Sequence, residues 1–187
     1  IGAYAFERDE KMSGPVITKF TAGKLEEIGE GAFWNVKTLT EFVFSSSLKK
    51  VDYAAFLECD GITSYYFTDA EGKKQSSGEI NGYAKLDDGC LYVKAANGIY
   101  ILSSVPAGKT GELVVADGTV KVETYGGSMN KNITSIVLPM SMKTIGRYAF
   151  SGYNALEKVE FRSISAPVLE NDRISNVKLN ETDPGYE

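Results

Sequence analysis

The sequence predicts a mainly β solenoid whose coils are about 23 residues long and whose short strands run parallel to one another. Two observations carry this prediction: a phrase that returns at a fixed spacing, and a strand-like alternation within each copy. Residues 25–33 read LEEIGEGAF, and residues 48–56 read LKKVDYAAF, 23 positions later. A fixed period in this range is typical of solenoids, in which each unit buries its apolar face only against its neighbours.

The apolar residues of the repeat keep the same spacing of 23 in both halves of the chain. In the N-terminal half the matched pairs are Ile28 with Val51, Phe33 with Phe56, Leu39 with Ile62, Phe42 with Tyr65, and Phe44 with Phe67. In the C-terminal half they are Val122 with Ile145, Ile133 with Leu156, Ile136 with Val159, and Leu138 with Phe161. The opening IGAYAF fits the same pattern with a longer loop after it, which repeats tolerate.

Each copy contains one stretch with the two-residue period of a β-strand. In LTEFVF, residues 39–44, the alternation places Phe42 and Phe44 on one side and Val43 on the other. LEKVEF, residues 156–161, alternates in the same way. We therefore predict one short strand per coil, stacked in register on the strand of the next coil.

A corner follows, which we expect to be a short helical or 3-10 turn. In IGEGAF and IGRYAF, Gly29 and Gly146 are expected to permit a backbone turn that a side chain would resist. The alanine before Phe33 or Phe150 leaves room for that ring to point inward. In the copy VETYGG, Gly126-Gly127 replaces the Ala-Phe pair, so this corner is predicted to be looser than the others.

The middle of the chain departs from the repeat. Residues 69–79 are polar and contain glycine, which indicates a loop. Further on, Asn97-Gly98 separates CLYVKAA from IYIL. Both residues tolerate positive φ, so the sequence predicts a β-hairpin closed by a tight type I′ turn.

Composition excludes several classes of function. With 20 basic and 25 acidic residues and a net charge of −5, the chain lacks the positive field that nucleic acid requires, so we expect no nucleic-acid partner. Histidine is absent, which excludes histidine-dependent triads. Cys59 and Cys90 allow one disulfide, although their apolar neighbours favour two buried free thiols.

Nothing in the sequence indicates membrane insertion. No run approaches the roughly 18 apolar residues of a spanning helix, and IGAYAFERDE lacks the order of a signal peptide. Because the sequence opens inside the repeated phrase, we expect the natural protein to begin further upstream.

Two motifs suggest ligand sites only weakly. Gly108-Lys109-Thr110 resembles the end of a phosphate-binding loop, but Ser103 stands where its first glycine is required. Asp69 and Glu71 hint at a calcium loop but lack further oxygen ligands, so a solvated turn is favoured. We predict no cofactor and no metal. We also predict no enzyme activity, because no acid, base, nucleophile and metal set converges at any readable spacing.

The residues between the inward positions of the strands are expected to point outward. They are Lys19, Thr21, Glu41, Val43, Ser64, Tyr66, Ser135, Val137, Lys158 and Glu160. Together they would form one extended face of mixed charge with Tyr66 as its anchor. Two interpretations stay open: an ordinary solvated sheet, or the binding surface that extended solenoid faces often provide.

Two stretches of the chain resemble the BspA-like leucine-rich repeats of bacterial cell-surface proteins. They read IGEGAFWNVKTLTEFVFSSSLKKVDYAAFLECDGITSYYF and ITSIVLPMSMKTIGRYAFSGYNALEKVEF. The family pattern runs I-G-x-x-A-F-x-x-C-x-x-L-x-x-V-x-L-P-x-S-L, and Cys59 occupies its cysteine position. Residues 81–109 are similar to the hairpin module that interrupts such arrays, and Ala166-Pro167 resembles the mark of the final module.

The resemblance implies a leucine-rich-repeat solenoid in a single domain over residues 1–187. Its expected parts are N-terminal coils over 1–68, a loop and hairpin insert over 69–116, C-terminal coils over 117–162, and a cap and tail over 163–187. It further implies a bacterial protein at the cell surface or secreted, which binds a protein or glycan of a host or neighbouring cell without catalysis. The alternative is an architectural stalk or spacer that presents another domain.

Overall fold

The computed structural model describes residues 1–8, 16–127 and 129–170. These residues form a mainly β fold without a helix, so the corners are turns and the predicted short helical or 3-10 segments are wrong. The strands are β1 (Lys19–Thr21), β2 (Glu27–Ile28), β3 (Glu41–Phe44), β4 (Lys50–Val51), β5 (Tyr65–Thr68), β6 (Lys74–Gln75), β7 (Gly78–Ile80), β8 (Ala84–Asp87), β9 (Cys90–Lys94), β10 (Tyr100–Ser104), β11 (Gly111–Val114), β12 (Thr119–Val122), β13 (Ile133–Leu138), β14 (Thr144–Ile145), β15 (Lys158–Phe161) and β16 (Val168–Leu169).

Strands of successive coils pair in parallel at the predicted spacing. In the N-terminal half β1, β3 and β5 stack side by side, and so do the short strands β2 and β4, where Ile28 lies opposite Val51. In the C-terminal half β11, β13 and β15 stack, with Ile136 opposite Val159. The fold class predicted from the period is therefore confirmed. A regular coil contributes two strands rather than one, because the short segment before each corner also pairs with its neighbour.

The core of the N-terminal half is a column of aromatic rings. Phe33 is fully buried and stacks between Phe6 and Phe56, with ring centroids 5.0 and 5.5 Å away. Phe20 and Phe42 stack beside this column, 5.2 Å apart. Equivalent residues thus lie over one another, and each ring covers the next, as the repeat predicts.

The insert continues the solenoid sheet instead of projecting from it. Strands β7 to β10 form an antiparallel meander, and β10 then pairs in parallel with β12. One sheet consequently runs in the order β16-β14-β12-β10-β9-β8-β7. The predicted hairpin is confirmed as β9 and β10, but its turn type is wrong. Of the two turn residues only Gly98 has positive φ, at 80°. The Ala95 amide donates to the Ile99 carbonyl at 2.8 Å, so the loop has three residues instead of two.

The corners depend on left-handed backbone at a fixed position that the sequence interpretation missed. The backbone is left-handed at the third residue after the isoleucine or valine that precedes a corner. Its φ lies between 55° and 57° at Tyr4, Gly31, Ala54, Tyr125 and Tyr148. A left-handed residue other than glycine costs roughly 1–2 kcal/mol. Hydrogen bonds between successive corners offset that cost, such as Phe33 N–H to the Ala55 carbonyl and Gly127 N–H to the Ala149 carbonyl, both 2.8 Å.

The corner glycines are required for a reason other than the predicted one. Neither Gly29 nor Gly146 has positive φ. Instead, a Cβ on Gly29 would lie 2.6 Å from the Ala3 nitrogen, and a Cβ on Gly146 would lie 2.6 Å from the Thr124 nitrogen. Glycine at this position lets the backbones of adjacent coils approach each other.

The corner at Gly126-Gly127 is closely packed, so the predicted looseness is wrong. A Cβ on Gly127 would lie 2.8 Å from the Tyr153 hydroxyl oxygen and 3.0 Å from the Phe150 ring. Tyr153 is only 1% exposed. Side chains from the following coil therefore fill the space that the missing phenylalanine leaves.

Replacing Phe33 by alanine should lower the free energy of unfolding by about 3–5 kcal/mol, because the ring is removed from the middle of a stacked column. Chemical denaturation followed by circular dichroism measures the change. Ile164→Ala is the control, since Ile164 is 98% exposed and should change stability by less than about 0.5 kcal/mol. An unchanged denaturation midpoint for Phe33→Ala would contradict the column.

Gly146→Ala should destabilise the protein by about 1–3 kcal/mol, because the new methyl group would force two coils apart. Gly2 is the matched control: it occupies the equivalent position in the first coil, and a Cβ there would meet nothing within 4 Å. Equal denaturation midpoints for Gly146→Ala and Gly2→Ala would show that close approach of the coils is not the constraint.

Candidate functional site

The outward residues of β1, β3 and β5 lie side by side, as predicted. The register places Lys19 opposite Glu41 and Thr21 opposite Val43, and Val43 in turn lies opposite Tyr66. Lys19 and Thr21 are exposed, and Glu41 is partly buried. Val43, however, is only 3% exposed, and it lies between Thr21 and Tyr66 on the two flanking strands. Its predicted place on a binding surface is therefore wrong.

Tyr66, the predicted anchor, is already occupied by a lysine of the same chain. The Lys74 ammonium lies 4.3 Å from the centroid of the Tyr66 ring and 2.6 Å from Glu41 Oε2. The hydrogen bond from Lys74 lowers the pKa of Glu41. Strand β6, which carries Lys74, pairs antiparallel with β5 and so places the lysine across this face.

The predicted continuous face is divided into two. Strands β1-β3-β5-β6 form one sheet and β11-β13-β15 another. The turn between β8 and β9 lies at the break, where the Tyr65 amide donates to the Gly89 carbonyl at 3.0 Å. A Cβ on Gly89 would lie 2.4 Å from Ser64 Oγ, so this turn also covers Ser64 closely. The insert therefore interrupts the face that the sequence analysis predicted to be continuous.

In the C-terminal sheet the predicted residues are also engaged within the chain. Ser135 donates to Glu112 at 3.2 Å, and Lys158 forms an ion pair with Glu160 at 3.0 Å. Val137 is 5% exposed because it lies between Val114 and Glu160 in the register, so it does not belong to the surface either.

A second surface lies along the corners and was missed at the sequence level. A cleft of about 350 Å³ opens there, lined by Tyr4, Glu30, Trp34, Tyr53, Ala54, Leu57, Glu58, Tyr125, Met129 and Ser151. The signal that could have revealed it is the tyrosine at the left-handed corner position in several coils, since an inward-pointing position would favour an aliphatic or phenylalanine side chain.

The weak sequence motifs have structural roles. Lys109, from the phosphate-loop-like stretch, donates to the carbonyl and carboxylate of Asp88 at 3.0 and 2.8 Å. Asp69 accepts from the Lys73 amide and from Gln75, both at 2.7 Å, which closes a polar turn. In the described ranges no group of three or more acidic or cysteine side chains is placed to hold a metal ion.

The repeat identifies the protein family to which the chain belongs. The sequence model of the BspA-type leucine-rich repeat region matches residues 1–82 and 124–183, in six copies. This chain belongs to the BspA-type leucine-rich repeat family. Residues 83–123, which lie between the two matched ranges, include most of the β-meander that interrupts this repeat protein's coils. The family is generally non-enzymatic.

Solved structures share the fold of this leucine-rich repeat chain. A leucine-rich repeat protein from Eubacterium ventriosum matches with a TM-score of 0.61 and 21% identity, covering 89% of this chain and 47% of its own. A leucine-rich cell surface protein from Faecalibacterium prausnitzii matches with a TM-score of 0.57 and 18% identity, covering 80% of this chain and 43% of its own. The pneumococcal vaccine antigen PcpA matches with a TM-score of 0.60 and 17% identity, covering 79% of this chain and 40% of its own.

The leucine-rich repeat chain spans less than half the length of these three proteins. No curated protein matches it. In the described part of the chain, no segment is a helix with the length and apolar character that crossing a membrane requires.

The two cysteines of this leucine-rich repeat chain are free and buried in separate core clusters, so the disulfide that the sequence left open is not formed. Cys59 donates to the Phe33 carbonyl with a sulfur–oxygen distance of 3.0 Å. Burial raises the pKa of each thiol to about 12. The cysteine that marks the family pattern therefore supports a corner and is no nucleophile.

Ellman's reagent should modify neither thiol of the native protein at pH 8, because thiols with a pKa of about 12 are almost fully protonated there and the sulfurs are buried. In denaturant both should react rapidly, and the absorbance at 412 nm measures the thiols modified. Rapid stoichiometric reaction of the native protein would contradict the buried, protonated state.

Proposed function

We propose that this chain is a non-catalytic interaction or adhesion module of a bacterial protein at the cell surface or in the medium, and that it binds a protein or glycan of a host or neighbouring cell. The observation that carries the proposal is the stack of outward side chains held in register by the parallel strands β1, β3 and β5. Rigid strands keep such side chains at fixed spacing, so little conformational entropy is lost on binding. Support also comes from the solved relative from Faecalibacterium prausnitzii, whose description names a cell surface protein.

The binding face that we propose is smaller than the ten residues identified in the sequence. It consists of Lys19, Thr21, Glu41 and Tyr66, together with Lys74, which lies over the Tyr66 ring. A partner that displaces Lys74 would gain the Tyr66 ring and the Glu41 carboxylate together. Ser135, Lys158 and Glu160 form a separate, shorter patch on the other sheet.

A second candidate function is an architectural stalk or spacer. It is favoured by the ion pairs within the chain that occupy both faces, such as Lys74 with Glu41 at 2.6 Å and Lys158 with Glu160 at 3.0 Å. A surface whose charges are paired internally offers less to a partner.

Binding to immobilised mucin and extracellular-matrix proteins, measured by surface plasmon resonance, distinguishes these functions. The double variant Glu41→Gln, Tyr66→Ala should weaken binding about tenfold if the face is used, since a buried anchor commonly contributes 1–2 kcal/mol or more. The control is Glu71→Gln, Ile164→Ala, which changes two exposed residues off the face. Equal binding by both double variants would contradict the proposed face, and no binding by the wild type would favour the stalk.

A further inference from the structure

The corner cleft lies where the regular stacking of corners is interrupted. Elsewhere one corner bonds to the next through the backbone, as from Asn35 N–H to the Leu57 carbonyl at 2.8 Å. Among the described residues, no such bond joins the corner of residues 53–58 to that of residues 125–129. The end of β10 lies between them on the inside, where the Val105 amide donates to the Gly126 carbonyl at 2.7 Å. The insert therefore fills the inner part of a coil but provides no corner, and the cleft occupies that place.

The walls of the cleft combine aromatic rings with carboxylates. Tyr4, Trp34, Tyr53 and Tyr125 contribute rings, and Met129 adds a polarisable thioether. Glu30 and Glu58 contribute the charge, and the described residues that line the cleft include no lysine or arginine. The cleft therefore offers π faces and negative charge together, which is the combination that attracts an organic cation.

One of the carboxylates is held in place by a tyrosine. The hydroxyl group of Tyr4 donates a hydrogen bond to Glu30, and Tyr53 lines the cleft beside the same carboxylate. The hydrogen bond from Tyr4 lowers the pKa of Glu30 and raises that of Tyr4 to about 12, so the carboxylate is ionised and Tyr4 is neutral at physiological pH. The charge and the Tyr4 ring thus have a fixed relative orientation before any ligand arrives.

Elsewhere on the surface, lysines of the same chain lie against tyrosine rings and carboxylates. Lysine ammonium groups lie over tyrosine rings at 4.3 Å for Tyr66 and at 4.7 and 5.2 Å for Tyr100. Asp52 and Glu123 line a second cleft next to the corner cleft, and both are paired. The Asp52 carboxylate lies 2.9 Å from the Lys50 ammonium, and the Glu123 carboxylate lies 3.1 Å from the Lys121 ammonium. In the described residues, by contrast, no lysine or arginine side chain lies over Tyr53 or Trp34.

We propose that the corner cleft binds a basic segment of a partner protein, with one lysine or arginine side chain seated between the rings and against Glu58 and Glu30. The cation of the partner supplies the positive charge that the described lining of this cleft lacks. The aliphatic stem of its side chain packs on the aromatic walls. The proposal rests on the proposed function only in that the partner is a protein. It concerns a different surface, so the two can fail separately.

Trp34 provides the readout, because it is the single tryptophan of the chain and lines the cleft. The probe is the peptide acetyl-GGKGGKGG-amide, and its control carries norleucine in place of lysine. We expect the lysine peptide to change the Trp34 emission saturably, with affinity falling as salt rises, and the norleucine peptide to bind at least about fivefold more weakly. No saturable change up to millimolar peptide, or equal binding of both peptides, would overturn the proposal.

Substitutions then test the residues. Glu58→Gln should weaken lysine-peptide binding about three- to tenfold, whereas Glu71→Gln, which makes the same charge change on an exposed loop, should leave it unchanged. Tyr53→Leu removes a ring that is 44% exposed and should weaken binding comparably without changing the thermal melt. Equal effects of Glu58→Gln and Glu71→Gln would show that the peptide responds only to the net charge of the protein, and this would overturn the proposal.

Three further outcomes separate the proposal from its rivals. Saturation of the same Trp34 signal by neutral sugars but not by the lysine peptide would overturn it in favour of a glycan. Concentration-dependent dimerisation that is abolished by Tyr53→Leu, without peptide binding, would overturn it in favour of a second copy of this chain. Loss of mucin binding in the Glu41 and Tyr66 variant, with peptide binding kept, would support two separate surfaces.

Discussion

Every coil of this protein depends on being covered by another at the spacing of a β-sheet, about 4.8 Å per strand. No coil encloses a core of its own, so Phe33 is buried only because Phe6 and Phe56 lie on either side of it. The corners obey the same constraint through their backbones, which approach so closely at Gly29 and Gly146 that a methyl group would not fit. Stability is therefore a property of neighbouring pairs of coils rather than of single coils.

The insert shows how the constraint is met where the repeat fails. Residues 78–104 fold as a meander whose last strand, β10, presents a parallel edge to β12, so the sheet continues although the repeat does not. The meander satisfies the hydrogen bonds of that sheet but covers only part of the adjoining coils. Its β8–β9 turn separates the two outer sheets, and its lack of a corner opens the cleft beside Tyr53. Both features of the surface follow from this single interruption.

Several charges on both faces are paired within the chain, and this limits what each face can recognise. A partner must exchange an existing contact, such as that of Lys74 with Glu41 and the Tyr66 ring, for a better one. Such exchange favours specific partners over general charge attraction, because the desolvation of an existing pair must be offset. The corner cleft differs, since its Glu30 carboxylate accepts from a tyrosine hydroxyl and no lysine or arginine is among its described lining residues.

The spacing of apolar residues determined the family, the parallel register and the aromatic column, because a period of 23 leaves few ways to bury the same ring in each coil. The turn residues Asn97-Gly98 located the hairpin. The sequence could not show that Val43 is covered, that Lys74 reaches Tyr66, or that a cleft separates Tyr53 from Tyr125. The separations between Lys74 and Tyr66 and between Tyr53 and Tyr125 do not follow the period, so only the path of the insert through space decided these two features.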